Sequence, residues 1–121
     1  MTQRSRRIEP EISATRAIAD GAEIDLTAPH DLAYLEGHFP GTPIVPGVAQ
    51  IDWAIRLAAR YLHLELEAGT SFQVKYRRLF LPERPVTLTL RSKNGYLRFE
   101  YADQGEALSS GSIRLSQPAD A

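Results

Sequence analysis

Three residues of this chain have types and spacing that could do chemistry: His38, Gly47 and Asp52. An imidazole has an unperturbed pKa near 6.5 and is mostly neutral at pH 7, so His38 can take a proton. Asp52 follows 14 positions later, inside an apolar run with helical spacing. A carboxylate there is costly unless it is partnered or protonated, and burial would raise its pKa toward that of a proton donor. Gly47 opens the same run. Its N–H would point off the helix start, where the dipole and the missing side chain favour a developing negative charge. The set amounts to a base, an acid and an anion-stabilising donor.

These residues must be held in place, and the stretch Gly37-His38-Phe39-Pro40-Gly41-Thr42-Pro43-Ile44-Val45-Pro46-Gly47 is suited to that. Proline removes a backbone donor and glycine admits strained backbone, so the path is neither helix nor central strand but a rigid loop. Rigid loops lower the ordering cost of a reacting geometry. His30 and His63 have no comparable context and read as surface residues.

The chain as a whole is unremarkable in composition. With 121 residues, 43% hydrophobic and 24% charged, it predicts one soluble globular domain with a single core. No apolar run approaches the roughly 20 residues that span a bilayer, and the basic start, with Arg4, Arg6 and Arg7, has no apolar segment behind it. A cytoplasmic protein with no membrane association is expected. Residues 1–9 read as a flexible arm, 10–117 as the domain and 118–121 as a tail. The absence of cysteine removes disulfides, thiolate nucleophiles and cysteine-ligated metals. A net charge of −1 gives no argument for nucleic acid.

Residues 11–18 and 22–28 alternate like strands joined at Asp20-Gly21, with Ile24 and Leu26 on one face and Glu23 and Asp25 on the other. Asp31 to Leu35 read as a short helical turn. From Gly47 to Leu62, Val48, Ile51, Ile55, Ala58 and Leu62 mark one helical face, and Ala54, Leu57, Ala59 and Tyr61 widen it, predicting a mostly buried helix. Four strand-like runs follow, at about 70–81, 85–93, 96–103 and 106–116. In the first, Phe72, Val74 and Tyr76 share a phase that a bulge at Arg77-Arg78 would carry on to Leu79 and Leu81. Asn94-Gly95 predicts a two-residue hairpin pairing Lys93 with Tyr96, Leu90 with Phe99 and Leu88 with Tyr101. It also sets Arg91 against Arg98, a like-charge pair on what reads as a solvated face. Gly105 turns the last hairpin. The pattern is α+β with antiparallel strands: a hairpin, a long helix, then a four-stranded meander.

His38-Phe39-Pro40-Gly41, Pro43-Ile44, Pro46-Gly47-Val48 and the acid at position 52 resemble the β-hydroxyacyl-acyl carrier protein dehydratases. Lys75-Tyr76-Arg77-Arg78-Leu79-Phe80-Leu81-Pro82 resembles the Arg-rich strand end of the same family, and the likeness extends over most of residues 10 to 116. The resemblance implies a hotdog fold, an antiparallel sheet wrapped around a long central helix. It implies dehydration of a 3-hydroxyacyl thioester to the trans-2-enoyl thioester, with His38 as base, Asp52 as acid and the Gly47 N–H on the thioester oxygen. No cofactor or metal is implied. The substrate would arrive on an acyl carrier protein, and Arg77, Arg78, Arg84, Arg91 and Lys93 read either as a basic surface for it or as a solvated sheet face. A homodimer is implied, with His38 of one subunit facing Asp52 of the other and Phe39, Ile44 and Val48 lining the acyl tunnel.

Three positions depart from the family pattern. Trp53 stands where the family has a small residue, Arg56 where it has Gln, and Pro82-Glu83-Arg84 where it has Pro-Gly-Asp. Trp53 would reshape the site, and Arg56, one turn from Asp52, would form an ion pair that lowers its pKa. These changes fit a divergent branch serving secondary metabolism of the aryl polyene or polyketide-like kind. Two other functions stay open on the same residues: a hotdog thioesterase, and a non-catalytic subunit that completes another chain's site in a hetero-oligomer.

Overall fold

The computed structural model describes residues 9–29, 44–64 and 72–115. His38 and Phe39, the expected turn at 31–35 and His30 lie outside these residues.

A hairpin starts the fold. β1 (Glu11–Ile18) pairs antiparallel with β2 (Gly21–Thr27); the turn is Ala19-Asp20 rather than the expected Asp20-Gly21, with Asp20 at a left-handed φ of 62° and Gly21 already paired with Ile18. The alternation in β2 is the expected one. Ile24 and Leu26 are buried, while Glu23 and Asp25 stand on the other face beside Arg16.

α1 (Gly47–Leu62) has the expected limits, and His63 closes it in the left-handed conformation with its N–H on the Ala58 carbonyl. The buried face is not the expected one. Ala49, Gln50, Trp53, Ala54, Leu57 and Ala58 are buried, whereas Val48 is 66% exposed and Ile51, Ile55 and Leu62 only partly covered. The helix therefore buries one face, not most of its surface. The physical reason is area: turning Trp53 inward removes more apolar surface from water than Val48 would. Trp53 then packs edge-on against Phe80 with centroids 6.0 Å apart.

β3 (Phe72–Tyr76) is shorter than expected and does not lead a meander. The sheet order is β1-β2-β4-β5-β6-β3, so β3 pairs with β6 at one edge and β2 takes the place beside β4. This sets Ile24 against Leu88 and Leu26 against Val86, making one continuous apolar face. The bulge after β3 is present: the N–H groups of Arg77 and Arg78 both reach the Leu108 carbonyl, at 2.8 and 3.1 Å. It does not carry the phase to Leu79 and Leu81, which are exposed. Phe80 enters the core instead, because the chain leaves the sheet here and crosses beneath the helix start. Two bonds hold the crossing, Val45 N–H to the Phe80 carbonyl and Glu83 N–H to the Ala28 carbonyl, each 2.8 Å. Glu83 keeps a left-handed φ of 69° at the place of the family's glycine, and Arg84 pairs with Asp103 at 2.6 Å.

β4 (Val86–Lys93), β5 (Tyr96–Asp103) and β6 (Glu106–Arg114) form the meander. Asn94 and Gly95 both have positive φ, 54° and 81°, and the register is the expected one from Lys93 opposite Tyr96 to Leu88 opposite Tyr101. Arg91 and Arg98 do face each other, and Arg91 sends one N–H to the Ala19 carbonyl, 3.1 Å away. Gln104-Gly105 makes the second turn of the same kind. The core lies between the inner face of this sheet and the Trp53 face of α1.

Candidate functional site

The helix start is the structural centre of the candidate site. Pro46, in extended conformation (φ −69°, ψ 157°), precedes Gly47 and supplies no side-chain cap, and no acid sits in the helix's first turn. The first N–H groups thus present a positive end that neither Pro46 nor the first turn of the helix offsets. Tyr76 reaches over from β3 and lays its ring against the Cα of Gly47. Tyr76 is 53% exposed in the single chain, and partial desolvation raises the pKa of its phenol above the ordinary value.

Asp52 lies just over one helical turn beyond Gly47. Its side chain is 32% exposed rather than buried, and Arg56 Nε donates to Asp52 Oδ2 at 2.9 Å, the i,i+4 ion pair that the spacing implies. Arg56 also comes within 3.8 Å of Glu9. Trp53, expected beside the acyl tunnel, points the other way and is fully buried in the core of its own chain. Tyr101 links the two sides. Its buried hydroxyl donates to the Gln50 carbonyl at 2.6 Å, and its pKa is pushed well up by burial first, then by the Asp52 charge and by Tyr76.

Of the other residues expected near substrate, Ile44 is half-buried just before the helix and Val48 stands exposed on its open face. Val48, Ile51, Asp52 and Ile55 make a stripe that one chain leaves partly uncovered. Arg77 and Arg78 are exposed at the end of β3, with Arg78 Nε 3.6 Å from Glu106. The structure therefore brings Gly47, Ile44, Val48 and Asp52 to one end of the helix. It sets Arg77 and Arg78 at the strand end that carries Tyr76. Among the described residues no three His, Asp or Glu side chains converge as a metal site, and no helix is long and apolar enough to cross a membrane.

Sequence reasoning missed four residues here: Tyr76, Tyr101, Gln50 and Ser109. Tyr76 and Tyr101 read as strand residues in apolar phase. Gln50 carries the one usable signal, an amide amid the apolar run of α1, since a buried amide must find partners. It does: Gln50 Nε2 donates to the Val45 carbonyl at 3.1 Å and Ser109 Oγ donates to Gln50 Oε1 at 2.6 Å.

Comparison with known proteins places this architecture. A search of curated proteins gives no match. Among solved structures, a chain of the dehydratase heterocomplex ApeI:P from Xenorhabdus doucetiae is 31% identical. It covers 90% of this chain and 99% of its own length, with a TM-score of 0.75. An uncharacterized protein from Erwinia carotovora subsp. atroseptica is 28% identical over 91% of this chain and 98% of its own, TM-score 0.70. The E. coli PaaI protein of the phenylacetic acid degradation operon, 14% identical over 89% and 82% with a TM-score of 0.65, shares the fold. The six-stranded sheet with α1 packed on its inner face is the hotdog fold. The family model of the ApeI dehydratase matches residues 14–112, and on that match the chain belongs to the ApeI-like dehydratase family.

Proposed function

We propose that this protein dehydrates a 3-hydroxyacyl thioester, carried on an acyl carrier protein, to the trans-2-enoyl thioester. The observation that carries the reading is the Pro46–Gly47 helix start with Asp52 just over a turn behind it, in a chain of a dehydratase family. His38 takes the proton α to the carbonyl, and the electron pair moves onto the thioester oxygen, where the Gly47 N–H and the helix dipole stabilise it. The pair then returns to form the double bond as the β-hydroxyl leaves. Asp52 supplies the proton, directly or through water, and the hydroxyl departs as water. Arg77 and Arg78, exposed at the strand end beside Tyr76, are the proposed contacts for an acidic carrier.

The site needs a second subunit in this reading, with His38 of one chain meeting Asp52 of the other. Two features support it: the partly uncovered stripe of Val48, Ile51 and Ile55, and the edge strand β3 with Phe72 and Tyr76 exposed. A second reading, a subunit that completes another chain's site, is favoured by the hold of Arg56 on Asp52 and by the neighbour's origin in a heterocomplex.

The test supplies 3-hydroxyacyl and enoyl thioesters on carrier protein or a mimic, and follows ultraviolet absorbance and mass. Enoyl interconversion by the chain alone, abolished in His38→Ala and Asp52→Asn, is the expected result. Free thiol release would identify a thioesterase instead, and silence until a partner chain is added would identify the completing subunit.

A further inference from the structure

Gln50 and Ser109 are the buried polar residues among the described part of the chain, and they are bonded to each other. Gln50 is 4% exposed, at a helix position where leucine or methionine would fill the same space without burying an amide. Its bonds run in four directions. The side-chain Nε2 holds the Val45 carbonyl, Oε1 takes the Ser109 hydroxyl of β6, the main-chain carbonyl takes the Tyr101 hydroxyl of β5, and the N–H reaches the Pro46 carbonyl at 3.2 Å.

These bonds converge on the approach to the helix. Val45 is gripped on both sides, its N–H by the Phe80 carbonyl at 2.8 Å and its carbonyl by Gln50. The carbonyl of the next residue, Pro46, accepts from Ala49 at 3.0 Å and from Gln50. That carbonyl belongs to the peptide unit whose N–H is that of Gly47. The direction of the Gly47 N–H is therefore set by the same contacts, tied to two strands of the sheet. A satisfied buried polar network specifies one geometry where an apolar contact of equal area permits sliding.

We infer that Gln50, braced by Ser109 and Tyr101, is a positioning residue that aims the Gly47 N–H at the developing oxyanion; the inference rests on the dehydratase reading of the site. It does not touch substrate. A shift of about 1 Å at a reacting centre can cost about 100-fold in rate, and loss of an oxyanion donor costs about 100- to 1,000-fold. A misaimed donor falls between no effect and those values.

The experiment compares Gln50→Met and Ser109→Ala with wild type and with Ile24→Val, a buried change on β2 that serves as a stability control. Two readouts are taken: kcat and KM for enoyl hydration, and amide hydrogen exchange at Val45, Ala49 and Gln50 against Leu88 of β4. Both variants are expected to lose about 10- to 100-fold in kcat with KM within about threefold. Exchange at Val45 and Ala49 should rise by about tenfold or more while Leu88 changes less. A kcat equal to that of Ile24→Val, or unchanged exchange at the helix start, overturns the inference. If Gln50→Met does not fold, Ser109→Ala, which deletes one oxygen, decides by the same readouts. If wild type has no activity with or without a partner, the dehydratase reading fails and the exchange data alone decide whether Gln50 holds the helix start.

Discussion

The ring of Tyr76 fills the space that a side chain at position 47 would need. A Cβ on Gly47 would lie 2.5 Å from Tyr76 Cζ and 2.9 Å from Cε1. A side chain at position 47 would therefore have to push the Tyr76 ring aside, while the backbone conformation itself places no demand for glycine. Gly47→Ala should cost up to about 1 kcal/mol, since the exposed Tyr76 ring must swing aside while alanine is the better helix former. Adding Tyr76→Ala should restore most of that loss. Tyr76→Phe should not, because ring carbons as well as the hydroxyl stand in the way. A double-mutant cycle in urea measures the coupling.

Arg56 and Asp52 form a half-exposed pair on the open side of the helix. Such a pair contributes about 0.3–0.5 kcal/mol, so Arg56→Gln should leave the unfolding midpoint almost unchanged. Activity separates the two members. Asp52→Asn should lose about 100- to 10,000-fold in enoyl interconversion if the acid moves the proton, whereas Arg56→Gln should retain most of it. Steady-state rates on the same thioester check both.

Gly111 sits in β6 opposite Val74 and Phe99. A Cβ there would meet the Gln73 carbonyl at 2.5 Å and the Phe99 ring at 2.8 Å. Gly111→Ala should destabilise the chain by about 1–3 kcal/mol and loosen β3 first, since a backbone carbonyl cannot rotate away as a side chain can. Hydrogen exchange should show β3 amides opening before those of β4.

Asp25 is clamped by the two terminal nitrogens of Arg16, at 3.0 and 2.8 Å, and by the Thr87 hydroxyl at 2.9 Å. Hydrogen bonds from Arg16 first, and from Thr87 after it, hold the Asp25 carboxyl below its usual range against the opposing effect of desolvation. The folded pKa lies below the unfolded value of about 3.9, so the stabilisation is complete above about pH 4 and is lost as pH falls through the lower native value. Arg16→Gln should therefore be less stable than wild type at pH 7, with the gap narrowing by pH 3. Melting at the two pH values tests this.

How much of this was legible in the residues depends on how local each determinant is. Asn94-Gly95 sets its own turn, and a two-residue turn dictates every pair behind it, so Leu88 opposite Tyr101 follows from position alone. The helix limits follow from Pro46, Gly47 and the apolar period. The helix face does not, because Val48, Ile51 and Ile55 and Ala49, Trp53 and Leu57 form two apolar stripes about 170° apart on nearly opposite sides of the helix, and only the shape of the facing sheet chooses Trp53. Gln50 was legible as an anomaly but its partners were not, since Ser109 and Tyr101 lie more than 50 residues away.

The sequence by itself determined the Asn94-Gly95 and Gln104-Gly105 turns and the limits of α1, because propensity and turn chemistry act over a few residues. Tertiary structure alone decided that β3 crosses to the far edge beside β6, that Phe80 rather than Leu79 and Leu81 enters the core, and that Tyr76 meets Gly47. Those choices depend on which packing of the whole chain buries the most surface with every polar group satisfied, and no local window contains that sum.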